Sequence, residues 1–70
     1  MTEQTNQPRL IRMNEVRKLT GLSRSYVYAL AAKGQFPKPV KLSERSAAWI
    51  ESEVKNWIDE RIQQRDRGVA

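Results

Sequence analysis

Inward-facing positions first gain a helical spacing at Met13 and continue at Val16, Leu19 and Thr20, which predicts a short helix. Gly21 ends it, because glycine takes the left-handed geometry of a helix C-terminus without a Cβ clash. Ser23 is a favourable N-cap for a second helix from Arg24 to about Lys33, with Val27, Leu30 and Ala31 on its inner face and Gly34 as its stop. Two helices joined by Gly21-Leu22-Ser23 make a helix-turn-helix pattern.

After Phe36-Pro37-Lys38-Pro39 the period changes. Val40 and Leu42 alternate with Lys41 and Ser43, and Ser46-Ala47-Ala48-Trp49 can return beyond a polar turn at Glu44-Arg45. This predicts a two-stranded hairpin, or wing. Val54, Trp57, Ile58 and Ile62 then form a continuous helical stripe. Glu51 and Glu53 in its first turn and Arg61 and Arg65 near its end suit the helix dipole, and Glu51 and Lys55 form an i,i+4 pair. The expected fold is mainly α with a small β-hairpin: a winged helix-turn-helix of three helices and a two-stranded wing. Its expected core is Val16, Leu19, Leu22, Val27, Leu30, Phe36, Val40, Leu42, Trp49, Val54, Trp57 and Ile58.

The flanks are polar. Residues 1–8 are expected to form a disordered leader ending at Pro8, residues 9–65 the domain, and residues 66–70 a flexible tail. Leu10 and Ile11 open the domain as a short extended segment. A chain of 70 residues makes one domain at most. At that size only about 60% of the unfolded surface is buried on folding, so the apolar core must be compact.

Composition narrows the chemistry. With no cysteine and no histidine, disulfides, the usual zinc sites and Cys–His or Ser–His nucleophiles are excluded. Catalysis would fall to carboxylates, but Glu51, Glu53, Asp59 and Glu60 read as a solvated helix face without a cleft. The chain is therefore read as a non-enzyme with no cofactor and no metal. No apolar run is long enough for a signal peptide or a membrane span, so the expected setting is cytoplasmic, with no membrane partner.

The net charge of +5 is unevenly placed. Nine bases between Arg9 and Arg45 face only Glu15 and Glu44, giving a local charge of +7, whereas the stretch from Glu51 onward carries −1. A basic body with a near-neutral last helix points to a polyanion on one face. In a helix-turn-helix the second helix lies in the major groove with its N-terminal residues against base edges. Ser23, Arg24, Ser25 and Tyr28 occupy those outward positions, with Ala29 and Ala32 offering only apolar contact. Arg24 suits a bidentate contact to guanine O6 and N7, while Ser25 and Tyr28 can bond to phosphate or a base edge. Lys33 ends the helix, and Lys38, Lys41, Ser43 and Arg45 lie in or beside the wing, suited to the backbone or minor groove. Glu44 at the tip repels phosphate unless it turns away or pairs with Arg45. Trp49 and Trp57 are read as core, Phe36 as a plug at its edge, Tyr26 as open between core and DNA, and Tyr28 as the aromatic nearest DNA. The competing reading is an ordinary helical hairpin with solvated cations, serving as a protein-interaction module such as an antirepressor or assembly subunit.

Several longer segments now stand together: Arg9-Leu10-Ile11-Arg12-Met13, Thr20-Gly21-Leu22-Ser23-Arg24-Ser25 with Tyr28, the run from Gly34 to Ser46, and Ala48-Trp49-Ile50-Glu51-Ser52-Glu53-Val54 followed by Trp57. In order and spacing the chain resembles the AlpA family of small phage-type transcriptional regulators across roughly three quarters of its length. The resemblance implies a MerR-like, excisionase-like winged helix that activates or represses genes of an integrated element, such as its integrase gene. It also implies double-stranded DNA as partner, with RNA polymerase or a phage integrase as further partners, at the bacterial nucleoid. Neighbouring families include excisionases that bend DNA. The chain departs from the family where Ala29-Leu30-Ala31-Ala32 replaces a basic or polar residue after Tyr28, which bears on base readout, and at Ala47, where a larger aliphatic is common. No long heptad pattern follows the wing, so a monomer or weak dimer, cooperative on DNA, is expected.

Overall fold

Eight residues, Met13–Thr20, form the first helix (α1), and it stops where the glycine signal places the stop: Gly21, at φ 75°, donates its N–H to the Arg17 carbonyl. These coordinates come from a computed structural model that describes residues 8–68. The Thr20 hydroxyl reinforces the turn by donating to the Val16 carbonyl at 2.8 Å and accepting the Leu22 N–H at 3.1 Å. The next helix (α2) spans Arg24–Ala32 and opens as its serine predicts, with Ser23 Oγ accepting the Tyr26 N–H at 3.2 Å. It ends in a Schellman motif: the Gly34 N–H bonds to the Ala31 carbonyl at 3.1 Å, and the Gln35 N–H to the Leu30 carbonyl at 2.8 Å.

The chain then returns through a hairpin of Val40–Ser43 (β2) and Ser46–Ile50 (β3), the expected wing. A third strand, Leu10–Ile11 (β1), pairs antiparallel with the other side of β3, so the sheet order is β1-β3-β2. Leu10 stands opposite Ile50 and Ile11 opposite Trp49. The short extended lead-in thus completes a three-stranded sheet rather than flanking a two-stranded wing. From β3 the chain passes directly into the last helix (α3), Glu51–Asp66. Among the described residues the architecture is the winged helix-turn-helix that the pattern predicts, three helices around a small sheet.

The core gathers Ile11, Val16, Val27, Leu30, Ala31, Phe36, Trp49 and Val54, with Met13, Leu19, Leu22, Trp57 and Ile58 half-buried against it. Both indoles also fasten the loop between α2 and β2: Trp49 Nε1 donates to the Pro37 carbonyl at 3.0 Å, and Trp57 Nε1 to the Gln35 carbonyl at 2.7 Å. Phe36 meets Trp57 edge-on, with centroids 4.9 Å apart.

One expected core residue is not inside. Leu42 is 48% exposed. The cause is a register shift between Lys41 and Ser43: Lys41 pairs with Ala47 and Ser43 with Ser46, which leaves Leu42 unpaired. Such a bulge breaks the period-two alternation and re-aims the extra side chain. Val40, next along the strand, is only half-buried. Ile11 and Ala48, which the pattern did not mark as core, are buried at 3% and 0% exposed. At the flanks, residues 1–7 and 69–70, including most of the expected leader and the end of the expected tail, lie outside the described residues. Asp66 belongs to α3 rather than to a tail.

Candidate nucleic-acid interface

The start of α2 and the wing face each other across an open cleft of about 560 Å³. Arg24 and Tyr28 line it from α2, one helical turn apart, and Lys41 and Arg45 from the wing. A third wall comes from the start of α1, where Arg12 and Asn14 border the same space. Trp49 forms part of the floor, fully buried, with the Tyr28 ring tilted against it at a centroid distance of 5.7 Å. Tyr28 is nevertheless 41% exposed and Tyr26 52% exposed, so both tyrosines face solvent rather than the core.

The electrostatics of the cleft are one-sided. Among the described residues Arg12, Arg24, Lys41 and Arg45 meet a single acid, Glu44. Among the described residues the three guanidinium groups have no carboxylate partner, and Glu44 does not pair with Arg45. Lys41 Nζ spends one donor on the Glu44 carbonyl at 3.1 Å, which holds the wing turn and leaves two donors. Away from the cleft, Arg17, Lys18, Lys33 and Lys38 likewise have no carboxylate partner among the described residues, whereas other cations are engaged within the fold. Arg9 and Lys55 both reach Glu51, Arg65 bonds to Asp66 at 2.9 Å, and Arg61 lies 4.9 Å over the Trp57 ring. The cleft differs in bringing four cations without carboxylate partners among the described residues together from α1, α2 and the wing, an arrangement suited to an anionic polymer.

The remaining residues expected at the interface are distributed around this cleft. Ser23 and Ser25 are exposed at the start of α2, with Ser23 Oγ already occupied as the helix cap. Ser43 is exposed where β2 meets the wing turn. Lys33 caps the far end of α2, roughly 13 Å along the helix from Arg24. Lys38 borders a separate depression of about 770 Å³ between the α2–β2 loop and α3, beside Phe36, Trp57 and Arg61. Lys33 and Lys38 are therefore not brought to the cleft. Arg12 and Asn14 are, although the pattern did not single them out. The available signal was the absence of a cap residue at position 12, one residue before the first helical stripe.

Comparison with known proteins matches the chain to a family. Residues 9–62, from the start of β1 through most of α3, match the family described as prophage CP4-57 regulatory protein (AlpA). The chain belongs to the AlpA family. It is 48% identical over 62 residues to the uncharacterized protein ORF88 of Enterobacteria phage P4, covering 89% of this chain and 70% of that protein. The AlpA match spans all three walls of the cleft and the whole of the sheet. AlpA is a regulatory family rather than an enzyme family. Among the described residues no three or more Asp, Glu, His or Cys side chains cluster where they could hold a metal ion, and no helix is long and apolar enough to cross a membrane.

Proposed function

We propose that this AlpA-family chain is a sequence-specific DNA-binding transcriptional regulator of a prophage or other integrated mobile element, for example of its integrase gene. α2 enters the major groove, Arg24 reads a guanine edge, and the wing follows the adjacent backbone or minor groove through Lys41, Ser43 and Arg45. The observation that carries this reading is the cleft between α2 and the wing, lined by three guanidinium groups without carboxylate partners among the described residues. It has the position and charge a phosphodiester strand needs when it passes from one groove to the next. A module of this size buries about 600–1,000 Å² on DNA. RNA polymerase or the element's integrase is the protein partner that such a regulator would engage.

The test is a titration of the purified chain against DNA upstream of its own gene and of neighbouring integrase genes, with random competitor, at two salt concentrations. With about five phosphates neutralised, raising salt from roughly 50 to 200 mM is expected to weaken binding by about 10²–10³. A shift that resists competitor supports the regulator. Absence of binding at the lower salt refutes it and favours an interaction module. Strong bending in a circular-permutation assay, with support of excision by the cognate integrase, identifies an excisionase-type factor instead.

A further inference from the structure

We infer that Arg12 holds a phosphate of the DNA backbone where the strand passes between α2 and the wing. The inference rests on the DNA-binding reading above and adds to it a contact from α1. Arg12 is the N-cap residue of α1, with extended backbone angles of φ −93° and ψ 173°, and its side chain makes no capping hydrogen bond. Helix chemistry disfavours arginine there. An N-cap wants a short acceptor such as serine, aspartate or asparagine, and a cation near a helix N-terminus opposes the dipole. The same chain follows the rule one element later, where Ser23 caps α2 with its hydroxyl. α3 also starts without a side-chain cap, at the uncharged and half-buried Ile50, so what sets α1 apart is an exposed cation at its N-cap, where the dipole opposes it, and that points to a demand from outside the fold.

The second observation is location. Arg12 is exposed and lines the cleft together with Arg24, Lys41 and Arg45, and among the described residues its guanidinium has no acidic partner. Arg9, three residues earlier, is held on Glu51 at the start of α3 and so is committed to the fold. Pairing of Ile11 with Trp49 fixes the level at which the chain leaves β1, which delivers Arg12 to the cleft rather than beyond it. A guanidinium fork there binds two phosphate oxygens at once and carries no base preference, so its contribution is positional.

The experiment compares Arg12→Ser, Arg12→Lys and Arg65→Ala with the unaltered full chain, by thermal melting and by titration of cognate and random duplex across a salt series. Arg12→Ser is expected to melt at a temperature no lower than the parent, because it supplies the missing cap. It is also expected to bind both duplexes on the order of tenfold more weakly, with a salt slope shallower by about 0.9. Arg12→Lys keeps the slope. Arg65→Ala removes the same charge on α3, outside the cleft, and keeps the slope. The inference is overturned if Arg12→Ser matches Arg65→Ala, if its loss is confined to cognate DNA, or if it melts markedly lower than the parent. A parent chain that binds no DNA at low salt overturns the DNA-binding reading itself, a result distinct from a parent that binds and an Arg12→Ser variant that binds equally well.

Discussion

Ser23 permits fold and function to be pulled apart at one position. Its Oγ accepts the Tyr26 N–H at 3.2 Å, and it stands next to Arg24 at the end of α2 that the proposed mode puts against DNA. Ser23→Ala removes the cap and leaves the Tyr26 N–H without its side-chain partner, at a cost of about 1 kcal/mol. In a domain of this size that lowers the melting temperature by about 4–8 °C. Ser23→Asp keeps an acceptor in the same place and adds a negative charge at the positive end of the helix, worth a further ~0.3–1 kcal/mol in its favour. That variant should therefore melt at or above the parent. On DNA the order reverses. At roughly 7 Å from a phosphate and an effective dielectric of about 40, the new carboxylate costs about 1.2 kcal/mol per neighbouring phosphate. Binding should fall on the order of tenfold at low salt, with the difference shrinking as salt rises. Melting curves and a fluorescence-anisotropy titration for both variants provide the check. An aspartate variant that melts as low as the alanine variant refutes the capping geometry. One that binds DNA as tightly as the parent refutes the placement of the α2 N-terminus against the duplex.

Two further pairs of substitutions test the interior by urea unfolding. Leu30 and Leu42 are 8% and 48% exposed, so Leu30→Ala should cost about 2–5 kcal/mol and Leu42→Ala about 1 kcal/mol or less; equal costs would refute the bulge that turns Leu42 outward. Trp49→Phe and Trp57→Phe each remove an indole donor from the α2–β2 loop. Because Trp49 is fully buried and its acceptor Pro37 is half-buried, whereas Gln35 is exposed, Trp49→Phe should cost about 1–3 kcal/mol and Trp57→Phe less. The reverse ranking would show that the loop is held mainly by α3.

What was legible in the chain was what has a local chemical signature. Gly21, Ser23 and Gly34 act through their own backbone or hydroxyl, so the end of α1 and both ends of α2 follow from them directly. Of the stripe on α3, Val54, Trp57 and Ile58 pack at the core as expected, while Ile62, at the far end of the stripe, is exposed. Non-local features escaped. β1 is two residues long and has no period of its own; only its pairing with β3 makes Ile11 core. The displacement of Leu42 depends on how β2 aligns with β3, which alternation within β2 cannot reveal. At the cleft, Arg24, Tyr28, Lys41 and Arg45 were visible because they sit on or beside recognisable elements. Arg12 was not, because its significance lies in the departure from good capping and in the register that carries it there. Lys33 and Lys38 share the basic charge of the segment but lie on other parts of the surface, a distinction that net charge does not contain.

The sheet explains why the cleft has three walls. Among the described residues β3 is the only strand with partners on both sides, β2 through the wing and β1 through Leu10 and Ile11. It also bears Trp49, whose indole fastens the α2–β2 loop and whose ring supports Tyr28. One strand therefore sets the position of the wing, the exit of the chain toward Arg12, and the end of α2 that presents Tyr28. Slippage of β1 by a single residue would invert its two side chains, expelling Ile11 from the core and moving Arg12 out of line with Arg24. Burial of Ile11 at 3% exposure opposes that slip, and the Arg9–Glu51 pair and the Glu51 N–H bond to the Arg9 carbonyl at 2.8 Å fasten the same strand to α3. The geometry of the cleft is thus held by residues outside it. Trp49 cannot be altered without disturbing both packing and cleft, whereas Ser23 and Arg12, at helix starts facing solvent, can be varied with the fold intact, and they are the positions where a DNA-binding role is separable from stability.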